Sequence, residues 1–195
     1  MVVLTPDEAR RLIGAIDRNA PFGKRDVAML VLAYHTGLRV SELTGLDVVD
    51  VSVDGQPRSL LHLPASIAKG RHSRLVPLNE TAQRAIVALL SFNTRRGFSV
   101  APQAPLLVTR KHTRLSARAV QLRVAELRQL AGLDVQATPH SFRHAFGSRI
   151  AEKTGNLRVV QQLLGHQRLN TSQIYVYVSR SLCKAVEKLA APRPD

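Results

Sequence analysis

The chain has 195 residues, and its 28 Lys and Arg against 14 Asp and Glu leave a formal charge of +14, an excess that favours a polyanionic partner. A hydrophobic fraction of 45% suits one domain with one core; no apolar run approaches the ~20 residues needed to span a bilayer, and no signal-like N-terminus appears, which together point to a cytosolic protein. Cys183 is the sole cysteine, so an internal disulfide is excluded, and no His or Cys cluster has metal-ligand spacing, so neither a metal nor another cofactor is expected.

In chain order, Thr5, Pro6 and Glu8 form a helix start: a capping hydroxyl, proline at the first helical position and a reciprocal carboxylate. Ala9, Leu12, Ile13 and Ile16 keep helical spacing behind it. A second apolar helix is predicted from about Arg25 to Tyr34, ending near Gly37, and Arg39 opens a third, short one. A guanidinium at a helix start lies near unpaired backbone N–H groups, a setting suited to an anion. From Val48 to Pro77 the pattern turns β-branched and alternating, with turns at Asp54-Gly55 and Lys69-Gly70, which predicts three antiparallel strands. Pro64 cannot donate to a ladder and should mark an edge or a bulge. Lys69 falls at the tip of the second hairpin, where an ordinary solvated lysine is also a natural occupant.

Asn79 caps a helix running to about Arg96 with Gly97 after it, and FSVAPQAP reads as a loop. Ser116 starts the next helix, with Val120, Val124, Leu127 and Ala131 on one face and Gly132 at its close. Arg110, Lys111, Arg114, Arg118 and Arg123 gather near its start, as a grip on phosphates or a solvated face. Thr138-Pro139 is a second strong helix start, placing His140 and Arg143 in one turn on one face, where the helix dipole favours a phosphate. Residues 157–164 form a short helix stopped by Gly165, with His166 just beyond and Tyr175 following. Leu182, Val186 and Leu189 make an apolar stripe on a last helix.

Seven residues of types that handle a phosphodiester therefore occur in order: Arg39, Glu42, Lys69, His140, Arg143, His166 and Tyr175. Each has an ordinary alternative. Arg39 and Glu42 are spaced for a helix ion pair, His140 for a cap, and His166 for a packed core histidine. Tyr175 is a plausible core filler, with Tyr177 as a rival nucleophile.

The segments TGLRVSEL, AKGRHSRLVPL, PHSFRHAFGSRI and LLGHQRLNTSQIY resemble, in order and separation, the active-site boxes of tyrosine recombinases, the phage-integrase and Xer-like family. The resemblance implies an α+β, mainly α, catalytic domain with a small antiparallel sheet, acting on double-stranded DNA within a tetrameric synapse, the protein alone being a monomer. It matches Arg39 and Arg143 to the two phosphate-binding arginines, Glu42 to a supporting acid, Lys69 to the hairpin lysine, His140 to the partner of Arg143, His166 to a later His-or-Trp position and Tyr175 to the nucleophile. Residues 1–190 are read as the catalytic domain and 191–195 as a flexible tail, with no counterpart of the N-terminal core-binding domain. In the family the last helix commonly docks on a neighbouring protomer; packing on its own domain is the alternative.

The chemistry suits these types. A phosphodiester under attack gathers negative charge on its equatorial oxygens, which two forked guanidiniums bind directionally. A phenol with a pKa near ~10 needs a base, for which His140 is the candidate, and the leaving 5′-oxygen needs a proton, which Lys69 can supply. His166 is expected to hydrogen-bond the phosphate. An inactive DNA-binding regulator and a relaxing enzyme of the type IB topoisomerase kind are the rival readings.

Overall fold

The computed structural model describes residues 3–165 and 186–187. Helix α1 (Pro6–Gly14) starts as its sequence predicts: the Thr5 hydroxyl accepts the Glu8 N–H and the Glu8 carboxylate receives the Thr5 N–H. Helix α2 (Gly23–Thr36) is apolar almost all round and is the central element, packed against α5 (Glu80–Arg95) and α7 (Pro139–Thr154). It stops where Gly37 takes the left-handed conformation at φ 62°. Helix α3 (Val40–Gly45) follows within three residues, with Arg39 extended at its cap.

The segment 48–51, expected as strand, is instead one helical turn, α4 (Val48–Val51). Local capping overrides the β-branched composition there: the Asp47 N–H is held by the Asp50 carboxylate at 2.8 Å. The expected three-stranded sheet is likewise corrected to two two-stranded ladders, β1 (Ser52–Val53) with β2 (Gln56–Pro57), and β3 (Leu60–Leu63) with β4 (Arg74–Pro77), both antiparallel. Asp54 and Gly55, at φ 49° and 75°, fold the chain back after two residues, as a type I′ turn does. Pro57 has no N–H to continue the ladder, and the next residues switch partner: the Arg58 N–H goes to Val51 O and the Ser59 carbonyl receives Leu78 N–H. Pro64 ends β3 rather than interrupting it.

Helix α6 (Ala117–Leu130), capped by the Ser116 hydroxyl, buries Val120, Val124 and Leu127 as its spacing predicts. Helix α8 (Leu157–Leu164) packs on α7 and ends at Gly165, φ 64°. Phe146, Ile150, Leu163 and Leu164 form a small second core, which Val186 completes. Val186 thus packs on its own domain, in the manner of the second of the two alternatives for the C-terminal stripe. Leu182, Leu189, Cys183 and the tail 191–195 lie outside the described residues.

Candidate active site

Three connections meet at the start of α3. The chain leaves α2 through Gly37, buries Leu38 and presents Arg39. Glu42, three residues on, takes the Arg39 N–H at 2.9 Å and Arg39 Nη1 at 3.0 Å, so the helix ion pair allowed by the spacing does form. Glu42 is fully buried, and an isolated carboxylate there would be expensive. A second guanidinium offsets that cost: Arg74, from β4, gives Nη1 to Oε1 at 2.9 Å and Nη2 to Oε2 at 2.7 Å. Burial pushes the Glu42 carboxyl up, but the Arg74 fork and the Arg39 N–H outweigh it and hold the pKa at about 2. Glu42 is therefore an anion at any working pH.

Arg143 enters from the first turn of α7 with only 4% of its surface exposed. Its Nη1 donates to the Gly37 carbonyl at 2.7 Å and its Nη2 to the Leu164 carbonyl, so one guanidinium caps the ends of both α2 and α8. Burial, then repulsion from Arg39, lower its pKa to about 10; Glu42 acts the other way. It stays charged at neutral pH. Among the described residues three guanidiniums thus share the field of one carboxylate, an excess of two positive charges in a partly dry site. An anion delivered there would relieve that repulsion.

The remaining expected residues distribute unevenly. His140 is in the same helical turn as Arg143 but stands in solvent, its ring stacked on His144 with centroids 5.9 Å apart. Lys69 is exposed at the tip of the loop joining β3 and β4, followed by Gly70 at φ 90° in a turn closed by Arg71 N–H to Ala68 O. Arg39, Glu42 and Arg143 are brought together; His140 and Lys69 lie outside this buried hub. His166, Tyr175 and Tyr177 lie outside the described residues.

Arg74 is the site residue that sequence reasoning missed. The signal available was weak: an arginine at the start of a strand of otherwise apolar residues, whose partner lies 32 positions upstream. Within the expected basic cluster, Arg114 and Arg123 are committed to the fold. Arg114 donates to the carbonyls of Thr44 and Leu46 and pairs with Asp47, and Arg123 pairs with Asp26 and Glu126. Arg110, Lys111 and Arg118 are exposed.

The sequence profile of the phage integrase family matches residues 2–181. The chain belongs to the phage integrase family. It is 39% identical over 169 residues to the tyrosine recombinase XerC of Methylobacterium sp. (strain 4-46), an overlap of 87% of this chain and 50% of that relative. Against the tyrosine recombinase XerC of Salmonella typhi the identity is 36% over 187 residues, covering 96% and 59%. The chain therefore spans between half and three-fifths of the length of these phage integrase family relatives. Among solved structures it is similar to the XerA recombinase, with a TM-score of 0.69, 28% identity, and coverage of 94% of this chain and 65% of that one. The integrase from mycobacterium phage Brujita superposes with a TM-score of 0.70 at 22% identity, covering 100% and 60%, which is a likeness of fold. The mainly helical catalytic-domain architecture read from the four boxes is thus the observed one.

Proposed function

We propose that this domain is a site-specific recombinase that cuts and rejoins strands of double-stranded DNA through a 3′-phosphotyrosine intermediate, in the cytosol and without a metal or other cofactor. One observation carries the reading: beside a carboxylate that Arg74 already saturates, Arg39 commits only one guanidinium nitrogen, and the buried Arg143, held by two backbone carbonyls, adds a second positive charge close enough to repel it, a field that favours an anion. The relatives named tyrosine recombinase XerC support it.

In the proposed reaction Arg39 and Arg143 bind the non-bridging oxygens of the scissile phosphate, and His166 adds a hydrogen bond. Tyr175 Oη attacks phosphorus while His140 takes its proton. The bond from phosphorus to the 5′-oxygen breaks, and Lys69 protonates that oxygen. His140 and Lys69 are both exposed, as groups that meet a duplex must be. The ester keeps the bond energy, so a 5′-hydroxyl from a partner strand reverses the step. Assembly is proposed as monomers in solution that form a tetramer on DNA.

The test uses a pool of nicked duplexes with randomised arms, in which a cut strand loses its 5′-hydroxyl fragment and cannot rejoin. After denaturation, a protein–DNA adduct that disappears in Tyr175→Phe is the expected result. Duplex binding without any adduct would overturn the enzyme reading in favour of a DNA-binding regulator. Relaxation of plasmids irrespective of sequence would point to topoisomerase action.

A further inference from the structure

Glu42 has two oxygens and about four acceptor positions, and all four are filled. Oε1 receives Arg39 Nη1 at 3.0 Å and Arg74 Nη1 at 2.9 Å; Oε2 receives the Arg39 backbone N–H at 2.9 Å and Arg74 Nη2 at 2.7 Å. Arg39 consequently gives this carboxylate only one guanidinium nitrogen. A forked guanidinium beside an ionised carboxylate ordinarily closes on both oxygens, which is the strongest pairing the two groups can make. Here the second fork, from Arg74, already occupies that position.

We infer that Arg74 is a positioning residue: by saturating Glu42 it prevents the carboxylate from capturing the whole Arg39 fork and so keeps Arg39 Nη2 and Nε available to a phosphate. The fold holds Arg74 in this role from two sides. Its backbone is in β4, opposite Leu63, on the stem of the hairpin that carries Lys69. Its side chain lies against Gly165, where an added Cβ would meet Arg74 Cδ at 3.0 Å and Nε at 3.2 Å. Held between Gly165 and Glu42, the side chain is only 12% exposed. Arg74 thus links the hairpin, the α3 start and the α8 end without itself being assigned any contact with substrate.

The inference rests on the proposal that Arg39 binds phosphate, and it makes a prediction that plain scaffolding does not. In Arg74→Met the two vacated positions on Glu42 go to Arg39, so single-turnover adduct formation should fall about 100-fold, in the range for loss of a preorganised oxyanion donor, while duplex affinity changes little. Adding Glu42→Gln to that variant removes the charge that captures Arg39, and adduct formation should recover by about tenfold over Arg74→Met alone. Arg74→Lys, which folds with its charge in place but has a single donor head, should fall between wild type and Arg74→Met. A second readout needs no DNA site: titration with inorganic phosphate followed by the NMR signal of the Arg39 Nε–H, which should shift in wild type, resist shifting in Arg74→Met and shift again in the double variant. An Arg74→Met protein with wild-type response in both readouts, or a double variant no better than Arg74→Met in either, would overturn the role of Arg74. Absence of any adduct in wild type overturns the recombinase reading instead, and the phosphate titration still decides the case of Arg74.

Discussion

His35 is buried on α2, where its Nδ1 lies 2.9 Å from Asn79 Nδ2, an arrangement that assigns Nδ1 as the acceptor of a neutral ring. Burial, aided by the nearby Arg149 charge, pushes its pKa from the ordinary 6.5 down to about 3. Between those values the unfolded chain binds a proton that the folded protein refuses, so stability rises with pH and is lost on acidification. One such proton gives a slope of about 1.4 kcal/mol per pH unit. Urea unfolding measured from pH 6.5 to 4.5 should show this slope in wild type and a flatter one in His35→Gln; equal slopes would mean that His35 is not the group responsible. Glu42 follows the same sign in a lower window, since its folded pKa of about 2 lies below the ordinary 4.5, and its stabilisation is lost as pH falls through that range. The contrast between Glu42 and Arg74 also shows what is legible one residue at a time. The Arg39–Glu42 pair is written in a three-residue spacing that any helix start would bring together. Arg74 reaches the same carboxylate only through the pairing of β3 with β4, which no local pattern specifies.

Elements whose ends are chemically marked were readable in advance, and those defined by long-range pairing were not. Thr5, Asn79, Ser116 and Gly165 each stand at a helix end predicted from sequence, because caps and left-handed stops are satisfied within a few residues. At Val48–Val51 the valine spacing speaks for a strand, while Asp47 and Asp50 close a cap around one helical turn. Gly37 does more than stop a helix. It needs φ 62°, an added Cβ would approach Phe146 Cδ1 to 2.5 Å, and its carbonyl is the acceptor for Arg143. Gly37→Ala should therefore combine left-handed strain with overpacking and cost about 2–4 kcal/mol in chemical denaturation. If Gly37→Ala unfolds at the wild-type denaturant midpoint, the contact between α2 and the Phe146 core is not as tight as described.

At the scale of the whole molecule, the core and the charge surface make separate demands on the chain. Val186 is 1% exposed in the cluster of Phe146, Ile150, Leu163 and Leu164, and its carbonyl receives Asn79 Nδ2 at 3.4 Å. Truncation after Val178 should for that reason destabilise the isolated monomer: losing the burial of one valine costs about 2 kcal/mol, or about 4–8 °C in Tm for a chain of this size. An unchanged Tm would return the segment to a role between protomers. The +14 charge is divided between residues spent on the fold and residues left exposed, a division invisible in composition. Arg114 belongs to the first group through Asp47 and two carbonyls, whereas Arg110, Lys111 and Arg118 are exposed around the start of α6. Each phosphate contact contributes about 0.9 to the slope of log affinity against log salt, so changing those three to Gln should flatten the slope by about 2–3. Arg114→Gln, by contrast, should lower thermal stability and leave the salt slope of the folded protein nearly intact. Fluorescence anisotropy with one labelled duplex across a salt series checks both variants together. A triple variant whose slope matches wild type would show that the duplex lies on another face, and an Arg114 variant that flattens the slope without loss of stability would show that its ion pair opens to DNA.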